Sequence, residues 1–173
     1  MIIGISIAAF TTLHVIISLV GIASGVIVLG AMLNAKAPAS WTALFLATTV
    51  LTSVTGFMFP STGFTPGQAV GAVSLVVLPV ALFAYYGRHL AGPWRWVYVV
   101  TAVIALYLNC VVAVTQSFQK IPLLNAWAPT QSETPFQVAQ LALLAIFVLA
   151  TIVGVRKFHP ELRPRGALTV LTP

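Results

Sequence analysis

Few side chains in this sequence can take part in chemistry. There are three histidines (His14, His89 and His159), one cysteine (Cys110), two acidic residues (Glu133 and Glu161) and no aspartate in 173 positions. A metal site needs a cluster of histidine, cysteine or carboxylate ligands, and no such cluster is spaced along the chain. Cys110 stands alone in an apolar run, which excludes an intramolecular disulfide and a CxxC redox pair. No GxSxG, Walker or HExxH motif occurs, so no catalytic residue is assigned. Hydrogen bonding is the chemistry that remains. Its candidates are His14, Thr52, Thr55, Asn109, Gln116 and Gln140, with Gln131 in a connecting loop.

The elements that position these groups follow from composition. The chain is 60% hydrophobic and 6% charged, whereas soluble domains carry about 25% charged residues. So much apolar surface has to face lipid. A spanning helix needs about 20 mostly apolar residues, and five segments qualify: Ile5–Leu33, Trp41–Phe59, Ala69–Tyr86, Trp94–Phe118 and Phe136–Val155. The start of the chain has no basic n-region, and its apolar run exceeds a signal-peptide core of about 7–15 residues, so it reads as a retained membrane helix. The fold class is an all-α integral membrane bundle of five transmembrane helices, as one domain over residues 1–158, with a short basic tail over 159–173.

Five spans put Lys36, Arg88, Arg95, Arg156, Lys157, Arg163 and Arg165 on one side and Lys120 alone on the other. The positive-inside rule then places the N-terminus outside and the C-terminus in the cytoplasm. Trp41, Tyr85, Tyr86, Trp94 and Trp96 form an aromatic belt on the inner side, and Trp127 marks the outer side. With so few basic residues, the net charge of +6 reads as a topology signal and not as a nucleic-acid footprint. Arg88, His89 and Arg95 are expected to meet lipid headgroups.

Depth sorts the polar residues. At about 1.5 Å per residue, His14 lies roughly 28 Å from the inner end of its helix. Thr52, Thr55, Asn109, Gln116 and Gln140 also fall in the outer half, while the inner half is almost wholly apolar. Polar groups inside a membrane mark functional sites or interhelical hydrogen bonds. The asymmetry points to an outward-facing pocket, with Thr130, Gln131 and Ser132 of the loop above expected to close over it.

Local motifs refine the helix ends and contacts. Thr65-Pro66-Gly67-Gln68 and Thr134-Pro135-Phe136-Gln137 both read as helix starts, with threonine as N-cap, proline in the first turn and glutamine completing a capping box. Gly21 and Gly25 form a GxxxG face, extended by Ser18, for close packing within the chain or with a second copy or membrane partner. Pro79 is expected to kink the third helix by freeing the carbonyl of Leu75.

The stretches "TTVLTSVTGFMFP" (48–60), "YGRHLAGPWRWVY" (86–98) and "APTQSETPF" (128–136) resemble a family of small bacterial multi-pass inner-membrane proteins to which no function is assigned. The resemblance implies a bacterial inner-membrane location and carries across no mechanism and no site residues. Three functions stay open. The first is a binding or accessory protein for a lipid, a quinone or a partner segment, which is not an enzyme. The second is an oligomeric small channel or transporter. The third is an oxidoreductase component with haem or quinone at His14; His89 and His159 lie on the opposite side and cannot supply a second haem ligand.

Overall fold

A computed structural model describes residues 2 and 4–160 of the chain. The described residues form helices and connections: α1 (Ile7–Leu33), α2 (Ala39–Gly56), α3 (Pro66–Leu82), α4 (Trp94–Lys120), α5 (Pro122–Trp127) and α6 (Thr134–Lys157), with a π-helical turn over Phe83–Gly87 continuing α3. Five of these are long and apolar enough to cross a membrane: α1, α2, α3 with its π turn, α4 and α6. Most of the basic tail, including Arg163 and Arg165, and also Glu161, lies outside the described residues.

Helix starts show how local chemistry shapes the chain. Ser6 caps α1 by accepting from Ala9 N at 3.2 Å. The capping box of α3 is complete: Gln68 N donates to Thr65 Oγ1 (3.2 Å), and Thr65 N donates to Gln68 Oε1 (2.9 Å). The second copy of that motif behaves differently. Helix α6 is capped at Glu133 without a side-chain bond to its first turn, and Gln137 Nε2 donates to Ser132 O at 2.8 Å. The expected capping box at Thr134 is therefore replaced by a turn that Glu133 closes. The connection before it holds α5, a short helix that proline opens at Pro122.

Helix α4 is the hub. It packs against α3, α6 and α1 and also touches α2, while α1 lies chiefly on α2 and α2 on α3. The first four spanning helices thus enclose a common space, and α6 leans on α4 and α1 from outside. The face where the chain begins, which also carries the α2–α3 and α4–α6 connections, is termed the N-terminal face. The half away from it is solid. Val28, Met32, Phe45, Leu46, Leu78, Tyr98, Val99 and Leu106 form its core, each almost fully buried.

The GxxxG face is occupied inside the chain. A methyl group added at Gly25 would lie 2.6 Å from Leu106 Cδ1 and 2.8 Å from Phe45 Cε2, and one at Gly21 would lie 3.2 Å from Thr48 Oγ1. Only glycine lets α1 approach α2 and α4 this closely, so within the chain this face is filled by α2 and α4. Tyr85 departs from the expected aromatic belt by turning inward onto Tyr98, with ring centroids 5.1 Å apart. Trp41, Tyr86, Trp96 and Trp127 remain exposed. Lys36, Arg88, Arg95, Arg156 and Lys157 lie at the end opposite Lys120.

Candidate functional site

The half of the bundle next to the N-terminal face is hollow. A cavity of about 670 Å³ lies among α1, α2, α3 and α4. Its size is in the range of small-molecule sites, roughly 300–1,000 Å³. Ile22, Thr52, Ser74 and Asn109 are the lining residues farthest from the N-terminal face on their four helices. One helical turn farther in on α1 and α4, and two on α2, Gly25, Leu106 and Phe45 meet in the solid core. The cavity is therefore blind.

His14 stands in its wall, held in a defined orientation. Its Nδ1 lies 2.7 Å from Thr55 Oγ1, and Thr55 Oγ1 lies 2.7 Å from Leu51 O. The hydroxyl has one proton, and a carbonyl oxygen can only accept. The Thr55 proton must go to Leu51 O, or two oxygen lone pairs would oppose each other at contact distance. His14 Nδ1 must then carry a proton and donate to Thr55. The ring also packs edge-on against Phe59, at 5.2 Å between centroids. The only hydrogen bond of the ring among the described residues is that of Nδ1, which leaves Nε2 open.

Asn109 is the deepest amide of the wall, with 9% of its surface exposed. Its Nδ2 donates to the buried Thr49 Oγ1 at 3.2 Å, tying α4 to α2. Ser18 donates to His14 O at 2.7 Å and approaches Thr52 Oγ1 at 3.3 Å. Gln116 and Lys120 bring α4 to the mouth, where Phe57, Phe59 and Gln68 face them from the α2–α3 side.

The sequence-derived candidates therefore separate. His14, Thr52, Asn109 and Gln116 line one cavity. Thr55 stands behind His14 and sets its tautomer. Gln140 belongs elsewhere: its Nε2 donates to Thr115 Oγ1 (3.1 Å) and Val111 O (3.3 Å) across the α4–α6 seam. Gln131 accepts from Gln119 Nε2 at 3.2 Å and does not reach the cavity. Nor do Thr130 and Ser132 close over it. Both are tied to Glu133, whose carboxylate accepts from Thr130 N (3.1 Å), Thr130 Oγ1 (2.8 Å) and Ser132 N (3.1 Å). Residual desolvation works to raise the Glu133 pKa, but the bonds from Thr130 and Ser132 outweigh it and hold the carboxyl below its ordinary value.

Among the lining residues, Ser74 went unnamed at the sequence level, Ser53 was placed in the outer half but not among the candidates, Lys120 was read only as a topology charge, and Ser18 was counted only as part of the packing face. Ser18 follows His14, and Lys120 follows Gln116, by four residues, so each pair shares a helix face. Ser53 and Ser74 are buried and carried no comparable signal. At the opposite end of the bundle, Arg88 stacks on Trp94 at 5.6 Å, and Arg95 and His159 border a second hollow with Leu90 and Gly92. Among the described residues, no group of three metal-ligating side chains occurs. Comparisons with protein-family models, curated proteins and solved structures returned no match to this chain.

Proposed function

We propose that this chain is a non-enzymatic binding or accessory protein of the bacterial inner membrane, whose cavity takes a small amphiphile such as a lipid or a quinone. One observation carries the reading: the cavity is mostly apolar, but His14, Asn109 and Gln116 converge on it at defined positions. Ligand sites combine an apolar body with a few placed polar groups in this way. The N-terminal face is taken as external, because five basic residues of the described chain lie at the other end and only Lys120 lies at this one. The blind floor argues against conduction through a single copy. A haem held by two histidines gains no support, since His89 and His159 lie at the end of the bundle opposite His14.

Lipid extraction and mass spectrometry on protein purified in mild detergent test the proposal. The expected result is an amphiphile bound in fixed stoichiometry to the native protein and absent from Ala113→Phe, which places a ring inside the cavity. No stoichiometric amphiphile in the native protein, or equal occupancy in Ala113→Phe, overturns it.

A further inference from the structure

We infer that the ligand of this cavity bears a hydroxyl, as an alcohol or phenol, which donates a hydrogen bond to Nε2 of His14. The inference rests on the binding reading above and specifies the head group that the site selects.

The argument is an accounting of protons. Four of the seven lining hydroxyls already donate to carbonyls of their own helices: Thr11 to Ile7 O (2.8 Å), Ser18 to His14 O (2.7 Å), Ser53 to Thr49 O (2.9 Å) and Ser117 to Ala113 O (2.8 Å), while Thr52, Thr65 and Ser74 donate to no group among the described residues. Such back-bonding leaves only oxygen lone pairs for a ligand. Asn109 uses one Nδ2 proton on Thr49, and that is its one side-chain bond among the described residues, which leaves its Oδ1 open. His14 donates through Nδ1 to Thr55, so the neutral ring presents the Nε2 lone pair. The wall thus offers acceptors beside the donors of Thr52, Ser74, Gln116 and Lys120, and imidazole nitrogen is the strongest acceptor. A ligand whose head can only accept would pair with those donors but leave His14 Nε2 and Asn109 Oδ1 without one, which is costly in an apolar setting.

Charge narrows the class. A donor head could be a hydroxyl or an ammonium. The cavity lining contains no carboxylate, and its one charged side chain is Lys120. An ammonium would enter against a like charge with no counter-ion. A neutral hydroxyl satisfies the wall without that conflict, and its oxygen can accept from Gln116 or Lys120 nearer the mouth. Among quinones, the reduced form carries such hydroxyls and the oxidised form does not.

The test compares 4-nonylphenol with its methyl ether, 4-nonylanisole, by calorimetric titration into protein-loaded nanodiscs, with empty nanodiscs subtracted. The two probes have nearly the same shape and differ in one donor proton. The expected result is saturable phenol binding at one per chain, with the ether at least tenfold weaker. In His14→Asn, whose amide can still donate to Thr55 but has no Nε2, phenol affinity should fall to that of the ether, while ether affinity stays unchanged. Equal binding of phenol and ether to the native protein overturns the inference but leaves the binding reading standing. Absence of saturable binding by either probe overturns both. Undiminished discrimination in His14→Asn also overturns the inference.

Discussion

Replacing Gly25 with alanine tests the packing that closes the bundle beneath the cavity. The added methyl would sit 2.6 Å from Leu106 Cδ1 and 2.8 Å from Phe45 Cε2, so one of those side chains must leave its place. Overpacking of this kind costs roughly 1–3 kcal/mol. Alanine also gains about 0.5–1 kcal/mol over glycine inside a helix. Gly30 lies on the same helix, and a methyl added there meets nothing within 4 Å. Subtracting Gly30→Ala from Gly25→Ala cancels the helix gain and leaves the packing cost of roughly 1–3 kcal/mol. At about 2–4 °C per kcal/mol for a chain of this size, Gly25→Ala should melt roughly 2–12 °C below Gly30→Ala. The four tryptophans give an intrinsic fluorescence signal for thermal unfolding in one detergent. Equal Tm values for the two variants would refute the packing. So would a Gly25→Ala protein that keeps the native Tm but changes from dimer to monomer on sizing, because the glycine face would then lie between copies.

Two further predictions concern particular hydrogen bonds. Asn109→Leu removes the 3.2 Å bond to Thr49; a double-mutant cycle with Thr49→Val should give a coupling of about 0.6–1.7 kcal/mol, and zero coupling would deny the bond. For Glu133, the folded pKa lies below the ordinary 4.5, so its turn gains stability above that value and loses it as the pH falls through the folded pKa. Hydrogen exchange at the Thr130 and Ser132 amides should be slower in the native protein than in Glu133→Gln at neutral pH. The difference should vanish in strong acid; a difference that does not depend on pH would exclude the carboxylate as its source.

What was legible in the sequence depended on how local its cause is. The capping box at Thr65 is a four-residue affair, and it forms as the pattern implies. The same pattern at Thr134 fails because Glu133, one residue earlier, caps the helix and closes the turn from Thr130. Depth was also readable, because helical rise converts residue number into distance along the bundle axis. Azimuth was not. Asn109 and Gln140 are both outer-half amides, yet one faces the space among α1–α4 and the other faces the α4–α6 seam. Which gap a helix face meets depends on the arrangement of helices, and periodicity along one segment does not encode that. The GxxxG face carried the same ambiguity, resolved by Phe45 and Leu106 standing against Gly25.

The outlying position of α6 has a consequence for biosynthesis. Every residue that lines the cavity precedes Pro122 in the chain, and α6 contributes none. Membrane chains emerge N-terminus first, and earlier parts can fold while later ones are still being made. The pocket is thus fully encoded before α6 is synthesised. Helix α6 arrives after it, as a brace against α4 and α1, and a nascent chain stalled ahead of α6 already holds every residue that would touch a ligand.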